Sequence, residues 1–273
     1  MISLKKHIKY SFLISVFIFF GCNDYQKILN SEDITEKYRA AEKYYNEGEY
    51  RRANRLLDQI EPKYRGKPQA ERVIFFLADS YFQTKSYLLS AYKFEDFTKS
   101  YPKSARIQQA LFLEAKSYYH LSPEYSLDQD DTKTALEKFQ IFINKFPKSE
   151  YLSEANVLVV ELQTKLEKKD FEVSKQYYTI RDYKSAIRSL DNFIAEYPGT
   201  SYREGAMYYE FLATYEIAIN SVINKQEERL NDLIVLYDNI FRYYPETIYE
   251  EDLNQKHNNI NDILKSIQNK TTK

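Results

Sequence analysis

Apolar and polar positions along this chain fall into two regimes. Residues 12–20 form an apolar run relieved only by Ser15. From residue 34 onward, apolar side chains recur at three- and four-residue spacing among charged ones, the period of one face of an α-helix. The second regime carries a longer period as well. Tyr101-Pro102-Lys103-Ser104, Phe146-Pro147-Lys148-Ser149, Tyr197-Pro198-Gly199-Thr200 and Tyr244-Pro245-Glu246-Thr247 are four copies of aromatic, proline, any residue, hydroxyl. Their prolines stand 45, 51 and 47 residues apart. Proline stops a preceding helix, and Ser or Thr two residues later can cap the next one. Each copy therefore predicts a junction between two helices.

The flanks keep the same register. Eight residues after the first three prolines stand Ala110, Ala155 and Ala206. Eight before the four stand Phe94, Phe139, Leu190 and Tyr237, and five before stand Phe97, Phe142, Phe193 and Ile240. Twelve before come Ser90, Ala135, Ala186 and Leu233, small in three copies, where a neighbouring helix has to approach closely. Alanine, a bulky residue four later and proline twelve later resemble the second helix of a tetratricopeptide repeat. The turns Gly48-Glu49-Tyr50-Arg51-Arg52-Ala53, Ser86-Tyr87-Leu88-Leu89-Ser90 and Asp182-Tyr183-Lys184-Ser185-Ala186 fit the join between the two helices of a repeat. Twelve residues before each small residue sit Ala41, Ala78 and Ser174, with Tyr44, Tyr81 and Tyr177 three later. The expected fold is all-α, a right-handed α-solenoid of about five repeats over residues 34–63, 69–102, 106–147, 168–198 and 203–245. An ending helix falls near 249–268, and residues 151–167 read as an extra helix. The solenoid of residues 34–268 would have an N-terminal half over 34–147 and a C-terminal half over 151–268.

The first regime is a different kind of segment. Lys5, Lys6 and Lys9 precede the apolar run, as in a secretory signal. A membrane-spanning helix needs roughly 20 apolar residues, so this run is too short to remain as an anchor. Phe19-Phe20-Gly21-Cys22 supplies the alternative, since lipoprotein signals end on a small residue and then a cysteine, although Phe20 is bulkier than usual there. Cys22 is the only cysteine, so no intramolecular disulfide accounts for it. Residues 1–21 are thus read as a signal peptide, Cys22 as the lipid-bearing N-terminus and 22–33 as a linker. Loss of residues 1–21 removes three lysines and no acid, leaving 36 basic against 40 acidic side chains. Nothing in that balance points to nucleic acid. With 5 glycines and 7 prolines, the chain is too poor in turn formers for a sandwich or barrel.

No catalytic pattern is visible. His7, His120 and His257 are far apart, and no Gly-rich phosphate loop, metal-binding His pair or nucleophile elbow occurs. Asp128-Gln129-Asp130-Asp131 invites a calcium reading, but such a loop needs Gly at its sixth and Glu at its twelfth position. Lys133 and Phe139 stand there. The cluster is read instead as the acidic start of a helix near Thr132. Neither catalytic residues, a metal nor a cofactor is expected beyond the lipid on Cys22.

The stretch from Phe171 through Tyr177-Tyr178, Arg181, Tyr183 and Ala186 to Tyr197-Pro198-Gly199-Thr200 resembles the fourth repeat of the BamD (YfiO) outer-membrane assembly lipoproteins. Asp128-Gln129 to Ala135 and Phe146-Pro147 to Tyr151 are similar to that family's third-repeat loop and junction. Ile217 to Asn224 and the tail after Tyr244 depart from it. The resemblance implies a lipid-anchored scaffold on the periplasmic face of the outer membrane, within the β-barrel assembly (BAM) machine. Its C-terminal repeats would bind a BamA-type barrel protein, and its N-terminal repeats unfolded outer-membrane proteins. Tyr44, Tyr81 and Phe82 are the candidate substrate groove, suited to the alternating apolar residues of barrel strands. Arg181, Lys184, Arg188, Asp191 and Glu196 are the candidate partner interface. The competing reading is another tetratricopeptide lipoprotein that coordinates cell-wall or envelope complexes. A glycan-binding lipoprotein fits less well, since tryptophan is absent.

Replacing Cys22 by Ala is expected to abolish palmitate incorporation and leave unprocessed precursor or a soluble chain. Acyl labelling of the variant at the wild-type level would contradict the anchor.

Overall fold

The computed structural model describes residues 24–271, with side chains to residue 269. The signal segment, His7 and Cys22 lie outside the described residues. Among those described there is no strand. A short helix, α1, covers residues 24–30. It is followed by α2 (Ile34–Asn46), α3 (Tyr50–Tyr64), α4 (Ala70–Gln83), α5 (Tyr87–Ser100), α6 (Ile107–Leu121), α7 (Asp130–Lys145), α8 (Leu152–Thr179), α9 (Tyr183–Glu196), α10 (Arg203–Ile219), α11 (Ile223–Tyr243) and α12 (Glu250–Thr271). Consecutive helices pack on each other from α2 to α7 and from α9 to α12, as in tetratricopeptide repeats.

The described chain forms two compact units. Residues 24–123 and 128–162 make the first, and 124–127 with 163–271 make the second. The division falls within α8, beyond the Phe146-Pro147 junction. In the first unit, Ala41, Ala53, Ala78, Ser90, Ala110, Ala135 and Ala155 are fully buried at their repeat positions. Phe94, Phe97, Phe139 and Phe142 fill the space beside them with no exposure. In the second unit Ala186, Leu190, Phe193 and Ala206 repeat the pattern, and Leu233, Ile240 and Leu253 carry it into the last repeat. Each such large side chain removed from water stabilises its unit by about 1.5–3 kcal/mol before entropy is counted.

Four details differ from the sequence expectation. No extra helix stands apart at 151–167, because no breaker or turn interrupts the chain after it and α8 runs unbroken for 28 residues to Thr179. Residues 24–30 are folded rather than linker, with Tyr25 only 8% exposed in the first unit's core. Helix α7 begins at Asp130, two residues before Thr132, with Asp128 Oδ1 accepting the Asp130 N–H at 2.9 Å. The junction hydroxyls are not helix N-caps either. Ser104, Ser149, Thr200 and Thr247 accept the N–H two residues on, at 3.0, 3.3, 3.2 and 3.3 Å. They close the turn ahead of the helix, as such short side chains readily do. Two of them also strap neighbouring repeats, for Ser104 and Thr247 each donate to a glutamate of the preceding repeat, Glu71 and Glu204, at 2.6 Å.

Overpacking at the small position tests the register. Ala186→Trp is expected to lower stability by about 3 kcal/mol, the upper end for small-to-large changes. Lys184→Trp, on the exposed side of the same helix, should be nearly neutral. Equal melting temperatures for the two variants would contradict the placement of α9.

Candidate functional site

The turn inside a repeat is built one way in the first, second and fourth repeats. Glu49, Ser86 and Asp182 donate their N–H to the carbonyls of Tyr44, Tyr81 and Tyr177 at 2.8, 2.8 and 2.9 Å. Gly48, Lys85 and Arg181 donate to Tyr45, Phe82 and Tyr178 at 3.1, 2.9 and 2.9 Å. This paired closure places its pivot residue in the left-handed region, with φ of 76°, 62° and 65°. Glycine adopts that conformation freely, whereas Lys85 and Arg181 hold it against the clash of their own Cβ. Across each turn an aromatic ring packs on the tyrosine that opens the next helix. The pairs are Tyr45 with Tyr50, Phe82 with Tyr87 and Tyr178 with Tyr183, at centroid distances of 5.5, 5.6 and 5.8 Å.

Tyr44, Tyr81 and Phe82 are thereby engaged within the first unit, each in its own surroundings. Tyr44 meets the Tyr25 ring edge-on at 5.5 Å and lines a cleft of about 550 Å³ with Lys27, Glu36, Lys43 and Arg52. The Tyr81 hydroxyl donates to Asp58 Oδ1 at 3.1 Å. Phe82 packs on Tyr87, whose other neighbour is the stacked His120 ring at 4.2 Å. Burial, with Lys116 and Lys85 nearby, holds the His120 imidazole below its ordinary pKa. The exposed apolar surface of the second repeat is instead Leu88, Leu89 and Tyr92, at 65, 48 and 63%. Leu88 and Leu89 were visible in the sequence only as turn residues.

In the second unit Arg181, Lys184, Arg188 and Asp191 are all exposed. The last three follow each other at four- and three-residue spacing along one stripe of α9. The ion pairs of this unit are Lys175–Glu172, Lys256–Asp252 and Lys265–Asp262, so none of the three cations has a carboxylate partner among the described residues. Asp182 caps α9 by accepting the Ser185 N–H at 3.2 Å, and its hydrogen bonds from Ser185 hold its carboxyl below the ordinary range. Glu196 lies apart, at the far end of α9, beside a cleft of about 400 Å³ lined by Glu167 and Tyr197–Thr200. Asp191 brings in a residue that the sequence did not reveal. Burial first, and then the charge of Asp191, push the carboxyl of Glu210 on α10 up to about 8. A second unforeseen feature is the exposed stripe Val173, Tyr177 and Ile180, at 47, 37 and 63%. Its spacing is helical and was legible, but the repeat register drew Tyr177 toward the core. Beside it lies a cleft of about 510 Å³, with Lys169, Glu172 and Lys175 in its wall.

No group of three or more His, Cys, Asp or Glu that could hold a metal occurs among the described residues. His120 and His257 are both stacked on tyrosines, Tyr87 and Tyr237, at 4.2 Å. No described helix is long and apolar enough to cross a membrane.

Comparison with known proteins agrees with this arrangement. Residues 30–179 and 172–272 match a family model, YfiO, described as outer membrane lipoprotein. The outer membrane protein assembly factor BamD of Pasteurella multocida is 22% identical over 209 residues, covering 72% of this chain and 76% of that protein. Its counterpart in Vibrio cholerae is 20% identical over 235 residues, covering 81% and 97%. That of Neisseria gonorrhoeae is 23% identical over 210 residues, covering 73% and 77%.

The Asp191–Glu210 pair makes a pH dependence. Folded Glu210 keeps its proton to higher pH than the unfolded residue, whose pKa is 4.5. Stability is therefore full below that value and falls as pH rises toward about 8. Glu210→Gln is expected to flatten this decline in a melting-temperature profile and to match wild type at the acidic end. A gain of about 1 kcal/mol at the alkaline end corresponds to roughly 2–4 °C in a chain of this size. Parallel profiles would contradict the raised proton affinity of Glu210.

Proposed function

Since the chain belongs to the outer membrane lipoprotein family YfiO, we propose that it is a lipid-anchored periplasmic scaffold for outer-membrane protein assembly, held by acyl chains on Cys22. Its relatives carry the name of outer membrane protein assembly factor. In this reading the second unit binds the barrel-forming subunit, a BamA-type protein, and the first unit engages unfolded barrel segments.

The observation that carries the partner assignment is Arg181. It occupies a left-handed turn position where the first repeat has Gly48, and its guanidinium is free of any carboxylate among the described residues. Arginine presents a rigid fork of donors suited to carboxylates. Lys184 and Arg188 extend that cationic edge along α9, so an acidic partner surface would be steered to it. Asp191 and Glu196 stand at the rim, where a rim charge mainly sets approach and orientation. For the first unit, the exposed Leu88, Leu89 and Tyr92 are the apolar surface offered to a substrate strand, while Tyr44, Tyr81 and Phe82 are half-buried against the core. Barrel strands alternate apolar and polar residues, so an extended segment would lay every second side chain on such a surface.

Reversing Arg181 and Arg188 to Glu should weaken copurification of the barrel subunit while leaving helicity unchanged. Reversing Arg51 and Arg55, in the first repeat, should spare that complex. Full partner recovery by a folded Arg181/Arg188 double variant, read by pull-down beside circular dichroism, would refute the interface.

A further inference from the structure

The residues after the acylated cysteine are the ones the sequence reads as a free linker, and the structure folds them onto the first unit. Tyr25 is 8% exposed, and its ring meets Tyr44 edge-on at 5.5 Å and 84°. The Arg52 guanidinium lies 5.4 and 5.5 Å from the centroids of those two rings. The Tyr25 hydroxyl donates to the Arg52 carbonyl at 3.3 Å. Ile28 and Leu29 pack against the same core. The remaining chain to α2 has no slack. Ser31 donates its N–H to the Ile28 carbonyl at 3.1 Å and its hydroxyl to Glu36 at 2.7 Å. Asp33 accepts the Thr35 N–H at 2.7 Å.

From these contacts we infer that α1 is a strap that seats the first repeat directly on the phospholipid headgroup layer. The inference rests on the acylation of Cys22 proposed above. Only Asn23 and Asp24 separate Cys22 from the docked ring of Tyr25. Three residue steps span about 11 Å at most. Without docking, the tether from Cys22 to Ile34 would be twelve steps, about 40 Å extended or about 20 Å as a flexible coil. Docking therefore removes most of the tether's freedom and turns one face of the first unit to the membrane. That face carries Arg51 and Arg55, both exposed, at the start of α3, while Arg52 beside them is paired with Glu49 at 2.6 Å. The charges of Arg55 and Arg52 both act on the Tyr25 hydroxyl, so they lie at the strap itself. Basic side chains near an anionic lipid surface each contribute about 1 kcal/mol of attraction, falling off within a Debye length. The occupant of this face is accordingly the anionic headgroup layer of the membrane that holds the acyl chains.

The test uses the acylated full-length chain in vesicles of phosphatidylethanolamine and phosphatidylglycerol doped with a headgroup-nitroxide lipid. A fluorophore on Arg55→Cys reads proximity, since acylated Cys22 is unreactive. Lys148→Cys, exposed and two repeats further along, serves as the distant site. Strong quenching at position 55 and little at 148 are expected. Adding Tyr25→Ala, or in a second variant Leu29→Ser, should reduce quenching at 55 about twofold as the tether lengthens. Circular dichroism serves as the control that each variant keeps its folded repeats. Unchanged quenching at 55 in folded, acylated release variants overturns the strap and leaves the anchor standing. Absence of acyl label on the parent chain overturns the anchor, and the strap with it.

Discussion

Two helix backbones within each repeat must come close enough that only a small side chain fits between them. The packing of the bulky side chains and the form of the turn follow from that demand. Ala41 and Ala53, Ala78 and Ser90, and Ser174 and Ala186 meet it, all buried. At Ser90 the approach is direct, since its hydroxyl donates to the Ala78 carbonyl at 3.1 Å. At Ser174 the hydroxyl meets that of Ser189 at 2.8 Å. With the helices fixed at this separation, the residues four and seven positions later face a gap of set depth. Phe94, Phe97, Phe139 and Phe142 fill it at no exposure, as close packing requires. The turn is fixed as well, because two helices this close allow few ways to reverse the chain.

That turn explains why so many tyrosines of this chain are structural. The carbonyls of Tyr44, Tyr81 and Tyr177 close it, and the next residue in each case staples its ring to the helix that follows. The fifth repeat does without the left-handed pivot. There Gln226 donates to the Ile219 carbonyl at 2.8 Å and Arg229 to the Ser221 hydroxyl at 2.5 Å, side chains doing what backbone does elsewhere. This lies in the segment, Ile217 to Asn224, whose sequence departs from the family's pattern.

What repeats was legible in the sequence, and what occurs once was not. Junction prolines, the small position and its bulky followers recur in several copies, so their spacing exposed the helix pairs and the buried face. Tyr25 has no counterpart in another repeat, and the docking of α1 left no periodic trace. The join of 151–167 to the helix after it depends on the absence of a breaker, which a search for repeats passes over. The junction hydroxyls satisfy either of two backbone partners, and the choice between cap and turn is made by where the helix begins. Glu210 and Asp191 sit on different helices, so no spacing rule pairs them. The candidate residues divide in the same way. The exposed stripe of α9 follows from helical period alone, whereas Tyr44, Tyr81 and Phe82 were assigned to one groove on repeat position and proved to have separate neighbours.

The second unit also carries features that folding alone would not select. A left-handed residue with a side chain costs about 1–2 kcal/mol relative to glycine, and Arg181 holds that conformation. Burial and a neighbouring carboxylate oppose ionisation, and Glu210 meets both, its second cause being Asp191. Lys184 and Arg188 stand between these two features with no ion pair among the described residues, Lys184 acting only through its charge on Asp182. Each one alone is an ordinary surface detail. Arg181 stands two residues before α9, Lys184, Arg188 and Asp191 lie along it, and Glu210 belongs to α10. The left-handed conformation itself belongs to the fold, because the two hydrogen bonds that close the turn impose it on Arg181 as they do on Lys85 in the first unit. What sets the second unit apart is therefore the charge that this turn displays, since Arg181 projects a guanidinium at the point from which Lys184 and Arg188 continue along α9.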